Sequence, residues 1–445
     1  MISTLRSLWL NINASYWFYP GLFSVIAALA AIGTVWLDRN GFAEWLNNVA
    51  WIQPSRPEGA RTVLTVIAGS MIATAATVFS ITIAAVAYAS GTYGPRLLTN
   101  FMYDKGNQLS LGVFIATFVY ALMVLRVVRS EDERAPSEMD AVATALPGFT
   151  PQLSLLVATS LALFAVAVLV YFLHHIPDSI RINTVLKGIG RRLIEDIRER
   201  FPDNGGSDEP NAQKSGEAVT GIDAGYIKII DFEALNEIAE SHGACIALKV
   251  RTGDFVHCRS PLVEVSGTEM AERLGSDIRA AFSIGGMRTP TQDLEFLFDE
   301  LVEIALRALS PGINDPFTAL TSLHWLAAAT AELGDRDLDR GPEQENYDRA
   351  RIQPLEDDYA HFLERGFGGI RASAAGSVIA SLKFLDSLHS AALGANSPHR
   401  LGLLRQEAER LIEQARTVLE GPSLEQIEKR YRRLLGEFAE LDGEE

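Results

Sequence analysis

Four long apolar stretches dominate the first part of the chain. They cover residues 17–37, 63–89, 109–125 and 153–173, and none of them contains Asp, Glu, Lys, Arg or His. A helix of about 20 apolar residues crosses a hydrocarbon layer of about 30 Å. A buried helix of a soluble domain normally has a polar stripe, which these stretches lack. The pattern therefore predicts four transmembrane helices.

The first stretch is interpreted as a retained membrane anchor. Its leading region is long, carries one charged residue, Arg6, and is not followed by a small-x-small cleavage site with a mature start. Aromatic residues at 16–19 and Trp36 lie at the two ends of the stretch, where side chains of the membrane interface are expected. We therefore expect this segment to remain in the protein.

The second stretch has an unusual face. On a helix, small and weakly polar side chains share one broad side, opposite Ile67, Met71 and Val78. We call six of them the small-residue seam: Gly69, Ser70, Ala73, Thr77, Ser80 and Ala84. Small residues let helices approach closely in lipid, and hydroxyls also tolerate the water of a pore in an oligomer. The seam therefore predicts either helix packing or a pore lining.

The link between the second and third stretches predicts a short amphipathic helix that begins at Pro95 and lies in the membrane interface. Arg96 and Asp104 are its interfacial candidates, pairing with each other or with lipid headgroups. A solvated connector with amphipathic character accounts for the same residues, and the sequence leaves both interpretations open.

The lack of ionisable residues within the apolar stretches restricts the class of membrane protein. Coupled transporters usually place such a residue inside the bilayer. The sequence therefore favours a passive pore, a sensor or an anchor over a coupled carrier.

After the four spans, the sequence predicts a mostly helical α+β domain. Residues 1–175 form the transmembrane domain, and residues 176–221 form a basic juxtamembrane helix (180–201) and a flexible linker (202–221). A small β-rich unit follows at 222–265, and a helical domain at 266–445.

Predicted helices cover about 232–241, 268–282, 292–309, 317–333, 355–365, 371–393, 398–419 and 424–441. Asp231 and Asp315 are expected N-caps, and Ser266 with Glu269 and Ser423 with Gln426 form expected capping boxes.

Charge is divided unevenly along the chain. Residues 1–200 have a balance of +2 and residues 201–445 a balance of −19. No dominant basic face exists, which argues against nucleic-acid binding.

Basic residues follow the fourth stretch closely, so we expect the N-terminus and the large C-terminal domain to be cytoplasmic. The two cysteines, Cys245 and Cys258, agree with a reducing compartment.

Candidate chemistry is concentrated between residues 288 and 316. The polar candidates there are Arg288, Asp293, Arg307, Asn314 and Asp315. A turn held by a guanidinium explains them structurally, and an ion or ligand site is the alternative.

Asp357 and His361 have helical spacing but no third ligand nearby, which favours a surface pair. Without a phosphate loop, a nucleophile elbow or a two-histidine helix motif, we expect no enzyme, no cofactor and no metal.

Three strings carry a resemblance to a known family. They are residues 93–98 (YGPRLL), residues 112–120 (GVFIATFVY) followed by Leu125 and Arg126, and residues 305–316 (ALRALSPGINDP). The chain resembles the family of predicted membrane proteins called domain of unknown function 2254. This resemblance implies a bacterial inner-membrane protein with the layout described above, and it leaves the activity open.

Two functions are compatible with these observations. The first is an oligomeric channel-like protein that passes ions or a small solute, with the second span lining or packing the pore. Its partners are membrane lipid, further copies of the chain, and an ion or small ligand. The alternative is a membrane-anchored sensor or scaffold that binds a ligand or partner through its cytoplasmic domain.

Overall fold

The computed structural model describes residues 17–42, 56–94, 104–130, 149–201, 216–267, 271–338, 348, 350–355 and 358–443. These residues fall into two units that separate between Arg181 and Ile182. We call residues 17–181 the membrane unit and residues 182–443 the C-terminal unit. The chain is mostly helical with a small region of sheet, so the predicted fold class is confirmed.

The membrane unit consists of four long helices: α1 (Phe18–Arg39), α2 (Pro57–Tyr93), α3 (Lys105–Leu125) and α4 (Gln152–Ser179). Each is long and apolar enough to cross a membrane, which confirms the four predicted spans. The helices extend beyond the apolar stretches. Helix α2 reaches 37 residues, because Pro57 suits the first helical turn and the chain leaves the helix only at Gly94, where φ is 130°.

Helix α3 is the centre of the membrane unit and packs against α1, α2 and α4. Its side chains Phe114 and Tyr120 are fully buried. Gly112 allows the close approach of α1, since a Cβ atom there would lie 2.9 Å from Cδ2 of Phe23. Packing of this kind holds helices together in lipid, where no hydrophobic drive acts between them.

Polar groups connect the ends of these helices. At the end of α1, the Asp38 carboxylate accepts hydrogen bonds from the Leu153 and Ser154 amides, both at 2.9 Å, and from Ser154 Oγ at 2.7 Å. This carboxylate therefore caps the N-terminus of α4 from a distant part of the chain. Beside it, Thr34 Oγ1 and the Tyr120 hydroxyl are 2.8 Å apart.

The C-terminal unit contains two small sheets. Their strands are β1 (Glu217–Thr220), β2 (Gly225–Ile230), β3 (Cys245–Leu248), β4 (Phe255–Val256), β5 (Pro261–Ser266), β6 (Phe282–Gly285) and β7 (Ile352–Gln353). The first sheet has the order β1-β5-β3-β7, antiparallel except for the β3–β7 pair, and the second has the order β4-β2-β6. Strands β1, β6 and β7 lie outside residues 222–265, because strand pairing recruits segments that are distant in sequence.

The helices of the C-terminal unit precede, separate and follow these strands along the chain. They are α5 (Ile182–Arg200), α6 (Phe232–His242), α7 (Ala271–Ala280), α8 (Leu294–Ala308), α9 (Pro316–Gly334), α10 (Tyr359–Leu363), a π-helical turn (Glu364–Gly368), α11 (Gly369–Ala375), α12 (Val378–Ala392), α13 (Pro398–Val418) and α14 (Gly421–Asp442). The expected N-caps are confirmed, since Asp231 accepts from the Ala234 amide and Asp315 from the Thr318 amide.

Several predicted boundaries in this unit were wrong. The helix predicted at 371–393 is broken near Gly376, and Ser377 caps a new helix by accepting from the Ala380 amide. The chain after Ala280 pairs with β2 as a strand instead of continuing a helix. Ser423 is not a cap, because α14 already begins at Gly421. Glu269, Asp357 and residues 202–215 lie outside the described residues.

Helices α5 and α9 run parallel and side by side. Gly190 of α5 faces the ring of Trp325, and Arg198 Nη2 donates to Glu332 Oε2 at 2.9 Å further along both helices. Helix α8 is antiparallel to α9, because a short turn at residues 309–315 connects them. The end of α8 near Asp293 is therefore beside the end of α5, and the turn lies near the start of α5.

Candidate functional site

The small-residue seam faces outward from the membrane unit. All six of its residues are exposed: Gly69, Ser70, Ala73, Thr77, Ser80 and Ala84. The opposite side of α2 is buried against the other spans, and its residues include Leu64, Met71, Ala75 and Val78. The protomer therefore packs the side of α2 opposite the seam against its own helices and leaves the seam uncovered.

The polar groups of the seam are satisfied within α2 itself. Ser70 Oγ donates to the Ile67 carbonyl at 3.1 Å, Thr77 Oγ1 to the Ala73 carbonyl at 3.0 Å, and Ser80 Oγ to the Ala76 carbonyl at 2.9 Å. Such bonds let a hydroxyl remain in an apolar environment. The seam is thus compatible with lipid, with another helix or with water.

The glycine of the seam has no packing role within the protomer. A Cβ atom at Gly69 would meet no heavy atom within 4 Å, whereas one at Gly112 of α3 would collide with Phe23. Glycine in a helix interior costs about 0.5–1 kcal/mol relative to alanine. The smallness of Gly69 is therefore not required by the described contacts of a single chain.

Asp104, an expected interfacial residue, caps α3. Its Oδ1 accepts from the Gly106 amide at 2.9 Å, and its Oδ2 accepts from Asn107 Nδ2 at 3.1 Å and lies 2.8 Å from His175 Nε2. The cap therefore also ties α3 to the end of α4. Arg96 and the predicted interfacial helix lie outside the described residues.

A cluster of charged side chains lies at the N-terminal end of α8, with Arg288 at its centre. The Nε and Nη2 atoms of Arg288 donate to the two carboxylate oxygens of Asp293, both at 2.8 Å, and Nη1 donates to Asp299 Oδ2 at 2.6 Å. The Asp293 side chain is only 1% exposed and caps α8 through the Phe296 amide at 3.0 Å. The structure thus brings Arg288 and Asp293 together.

Four further residues complete this cluster, and of these only His361 was a candidate from the sequence, where its expected partner was Asp357. Arg365, on the π-helical turn, donates to both carboxylate oxygens of Asp299, at 2.9 and 2.8 Å, and its Nη1 lies 2.6 Å from Glu295 Oε2. His361 Nε2 lies 2.7 Å from Glu295 Oε1. We call Arg288, Asp293, Glu295, Asp299, His361 and Arg365 the charge cluster. The available signal was a pair of acidic residues, Glu295 and Asp299, four apart on an amphipathic helix.

Burial is the largest single influence on the pKa values of Asp293 and Glu295. It raises the pKa of Asp293 to about 6 in spite of the ion pair with Arg288. Burial also raises the pKa of Glu295, but the hydrogen bond from His361 and the charge of Arg365 outweigh it and leave that pKa below its usual value. The ion pairs therefore offset the loss of hydration to different degrees within one cluster.

The charge cluster joins the β-rich part of the C-terminal unit to its helices. The turn between β3 and β4 packs directly on it, because an ideal Cβ atom at Gly253, where φ is 94°, would overlap Asp293 Oδ2. The neighbouring Thr252 Oγ1 donates to the Gln292 carbonyl at 2.8 Å. Among the described residues, no group of three or more His, Cys, Asp and Glu is placed to hold a metal. The contacts of the charge cluster are those of a structural connection between the sheets and the helices.

The other polar candidates lie at the opposite end of α8. Asn314, with φ of 49°, and Asp315 close the α8–α9 turn. The Asn314 amide donates a hydrogen bond to the Ser310 carbonyl at 2.9 Å, and the Asp315 amide donates one to the Ala308 carbonyl at 2.8 Å. The carbonyl of Arg307 accepts from Ser310 Oγ at 2.6 Å. The 15 residues of α8 separate this turn from Arg288 by about 20 Å. The structure therefore divides the expected polar network between two sites.

A family model described as Predicted membrane protein (DUF2254) matches residues 13–390. The chain belongs to this family. The match includes all four spans, the charge cluster and the α8–α9 turn, and it confirms the resemblance carried by the strings at 93–98, 112–120 and 305–316.

Relatives of this DUF2254 member occur in mycobacteria. Uncharacterized protein Mb1321c of Mycobacterium bovis and Uncharacterized protein Rv1290c of Mycobacterium tuberculosis are each 29% identical to it over 308 residues. The matched region covers 66% of this chain and 56% of each relative, so the chain spans about half the length of these relatives. No solved structure matches the chain.

Proposed function

We propose that this DUF2254 member is an oligomeric channel-like protein of the bacterial inner membrane, in which the α2 helices of neighbouring copies face one another along the small-residue seam. The observation that supports the proposal is the exposure of all six seam residues in a protomer whose other α2 side is buried. The proposal assigns no catalytic step to any residue.

Helix packing in lipid explains why a seam of small residues would face another copy. Association of membrane helices depends on close van der Waals contact, which small side chains permit. Gly69 and Ala73 leave room for a facing backbone, and the hydroxyls of Thr77 and Ser80 already bond to their own helix. A central ring of such helices leaves a path whose wall tolerates water.

Charge supports a preference of this path for cations. Residues 201–445 carry a net charge of −19, and a large acidic domain raises the local concentration of cations. Exposed basic residues follow the fourth span, among them Lys187, Arg191 and Arg192. They favour a cytoplasmic location of the N-terminus and of the C-terminal unit.

The experiment is single-channel recording of the purified protein in planar bilayers with asymmetric salt, with the oligomer mass determined on the same sample. Ala73→Trp and Thr77→Trp place a ring on the seam. Phe79→Trp is the matched control, because Phe79 is 45% exposed on α2 but lies about 120° around the helix from Ala73.

We expect discrete currents from an oligomer, a changed conductance in both seam variants and an unchanged conductance in Phe79→Trp. Silence under voltage and under membrane tension, from a stable oligomer, would refute the channel. If the conductance of both seam variants instead equals that of the unsubstituted protein, α2 does not line the pore.

A sensor or scaffold is the second candidate, and a groove in the C-terminal unit favours it. The groove has a volume of about 500 Å³ and lies between α10, the π-helical turn, α11 and α13. Its charged residues are Glu364, Arg371, Glu407 and Arg410. They pair with each other, with Arg371 Nη1 2.6 Å from Glu407 Oε2 and Arg410 Nη1 3.1 Å from Glu364 Oε2. A silent protein would direct the search for a ligand to this groove.

A further inference from the structure

One end of the C-terminal unit displays apolar side chains. Phe317 is 70% exposed at the start of α9, Ile313 is 44% exposed in the turn before it, and Ile379 is 46% exposed at the start of α12. Side chains of this size are seldom left in water as a group. Their position in the chain identifies what would cover them.

The register of α5 and α9 places Phe317 beside the beginning of α5. Gly190 faces Trp325, and the two helices run parallel. Ile182, the first residue of α5, is eight residues before Gly190, and Phe317 is likewise eight residues before Trp325. The two residues are therefore level with each other at the same end of the helix pair.

Ile379 belongs to the same end. Helix α12 packs along α9. His324 of α9 lies within electrostatic range of Lys383 and Asp386 of α12, and near the other end of the pair the Asn396 amide donates to the Gly334 carbonyl at 3.1 Å. Helices α9 and α12 therefore run parallel, and Ile379 in the first turn of α12 is near the level of Phe317.

The chain tethers this end to the membrane. Helix α4 has 28 residues, about 42 Å at 1.5 Å per residue, which matches the full thickness of a bilayer with its headgroups. The chain leaves α4 at Ser179 and begins α5 at Ile182, so even a fully extended connection would span at most about 10 Å. The first turn of α5 is thus held close to the headgroups at which the fourth span ends.

We propose that Ile313, Phe317 and Ile379 insert into the lipid surface and form a second membrane attachment for the C-terminal unit, independent of any channel activity. Exposed Arg181, and Lys187 of α5, supply positive charge near this end. Apolar side chains beside basic ones are the combination that binds an anionic headgroup layer.

The test uses the full-length protein with Cys245→Ser and Cys258→Ser, because Cys258 is exposed and Cys245 partly so. Phe317→Cys is labelled with an environment-sensitive fluorophore and reconstituted into vesicles of phosphatidylethanolamine and phosphatidylglycerol, with or without nitroxide-bearing lipid. Phe255→Cys is the matched control, since Phe255 is 58% exposed in β4, near the charge cluster at the far end of α5. Ile379→Cys provides a second probe at the proposed site.

We expect nitroxide lipid to quench the fluorophore at 317 and at 379 severalfold more strongly than at 255, with blue-shifted emission at the first two positions. Equal quenching by lipid at 255 and 317, or free access of aqueous iodide to 317, overturns the proposal. Protection of 317 from iodide without quenching by lipid also overturns it, because that result assigns the patch to a protein contact.

Discussion

Replacing Gly190 by alanine tests how closely α5 and α9 pack. An ideal Cβ atom at Gly190 would overlap three atoms of the Trp325 ring, including the one nearest its backbone. At Gly188, two residues earlier on the same helix, an added Cβ atom would meet nothing within 4 Å. Gly190→Ala and Gly188→Ala thus make the same chemical change in two different environments.

The magnitudes follow from these environments. Alanine in place of glycine within a helix stabilises by about 0.5–1 kcal/mol, and this gain applies to both variants. Gly190→Ala also forces the Trp325 ring aside, and overpacking of this kind costs about 1–3 kcal/mol. The propensity gain cancels in the comparison, so the difference between the variants isolates the steric cost. Gly188→Ala should stabilise the helix, and Gly190→Ala should destabilise it.

Hydrogen–deuterium exchange of the full-length protein in detergent measures this difference locally. A cost of about 1–3 kcal/mol corresponds to exchange of α5 amides about 5- to 150-fold faster in Gly190→Ala than in Gly188→Ala. Adding Trp325→Ala should abolish the difference, because the added methyl group then has room. Equal protection of α5 in the two single variants would refute the close packing inferred from the Gly190–Trp325 contact.

Three further predictions concern polar groups. Asp38→Ala removes the cap of α4 and should lower stability by about 2 kcal/mol, seen as a lower melting temperature in detergent; an unchanged value would contradict the capping role. Arg288→Met should destabilise the C-terminal unit by about 3–5 kcal/mol in urea, and adding Asp293→Asn, which removes the unpaired charge but keeps a side-chain oxygen to cap α8, should recover part of that loss; no recovery would show that the pair is not the cause. Burial raises the pKa of Glu332, but hydrogen bonds from two arginines outweigh it and lower that pKa below 4.5, so its contribution is present above pH 4.5 and lost as the pH falls through the folded pKa. Glu332→Gln should therefore lose less stability on acidification than the wild type, and equal losses would rule this contribution out.

Local patterns in the sequence were enough to locate the spans and several helix starts. An apolar run without charges defines a membrane helix whatever its neighbours are. Asp231 and Asp315 were identified as caps because a cap is satisfied within four residues of its own chain. The break at Gly376 was missed, because the apolar repeat continues through it and only the new cap at Ser377 marks the change.

The charge cluster depended on tertiary structure. Glu295 and Asp299 are acidic residues on an amphipathic helix, but their partner Arg365 lies 66 residues beyond Asp299. Its position on a π-helical turn could not be derived from spacing. A buried ion pair is fixed by the approach of two elements, and sequence separation carries no information about that approach.

The small-residue seam of α2 depends both on local sequence and on tertiary packing. The sequence by itself determined that Gly69, Ala73, Thr77 and Ala84 share one face, because helical periodicity depends only on the chain. Only the tertiary structure decided that this face points outward. The physical reason is that α3 packs against the opposite side of α2, where Leu64, Met71 and Val78 fill the space between the helices.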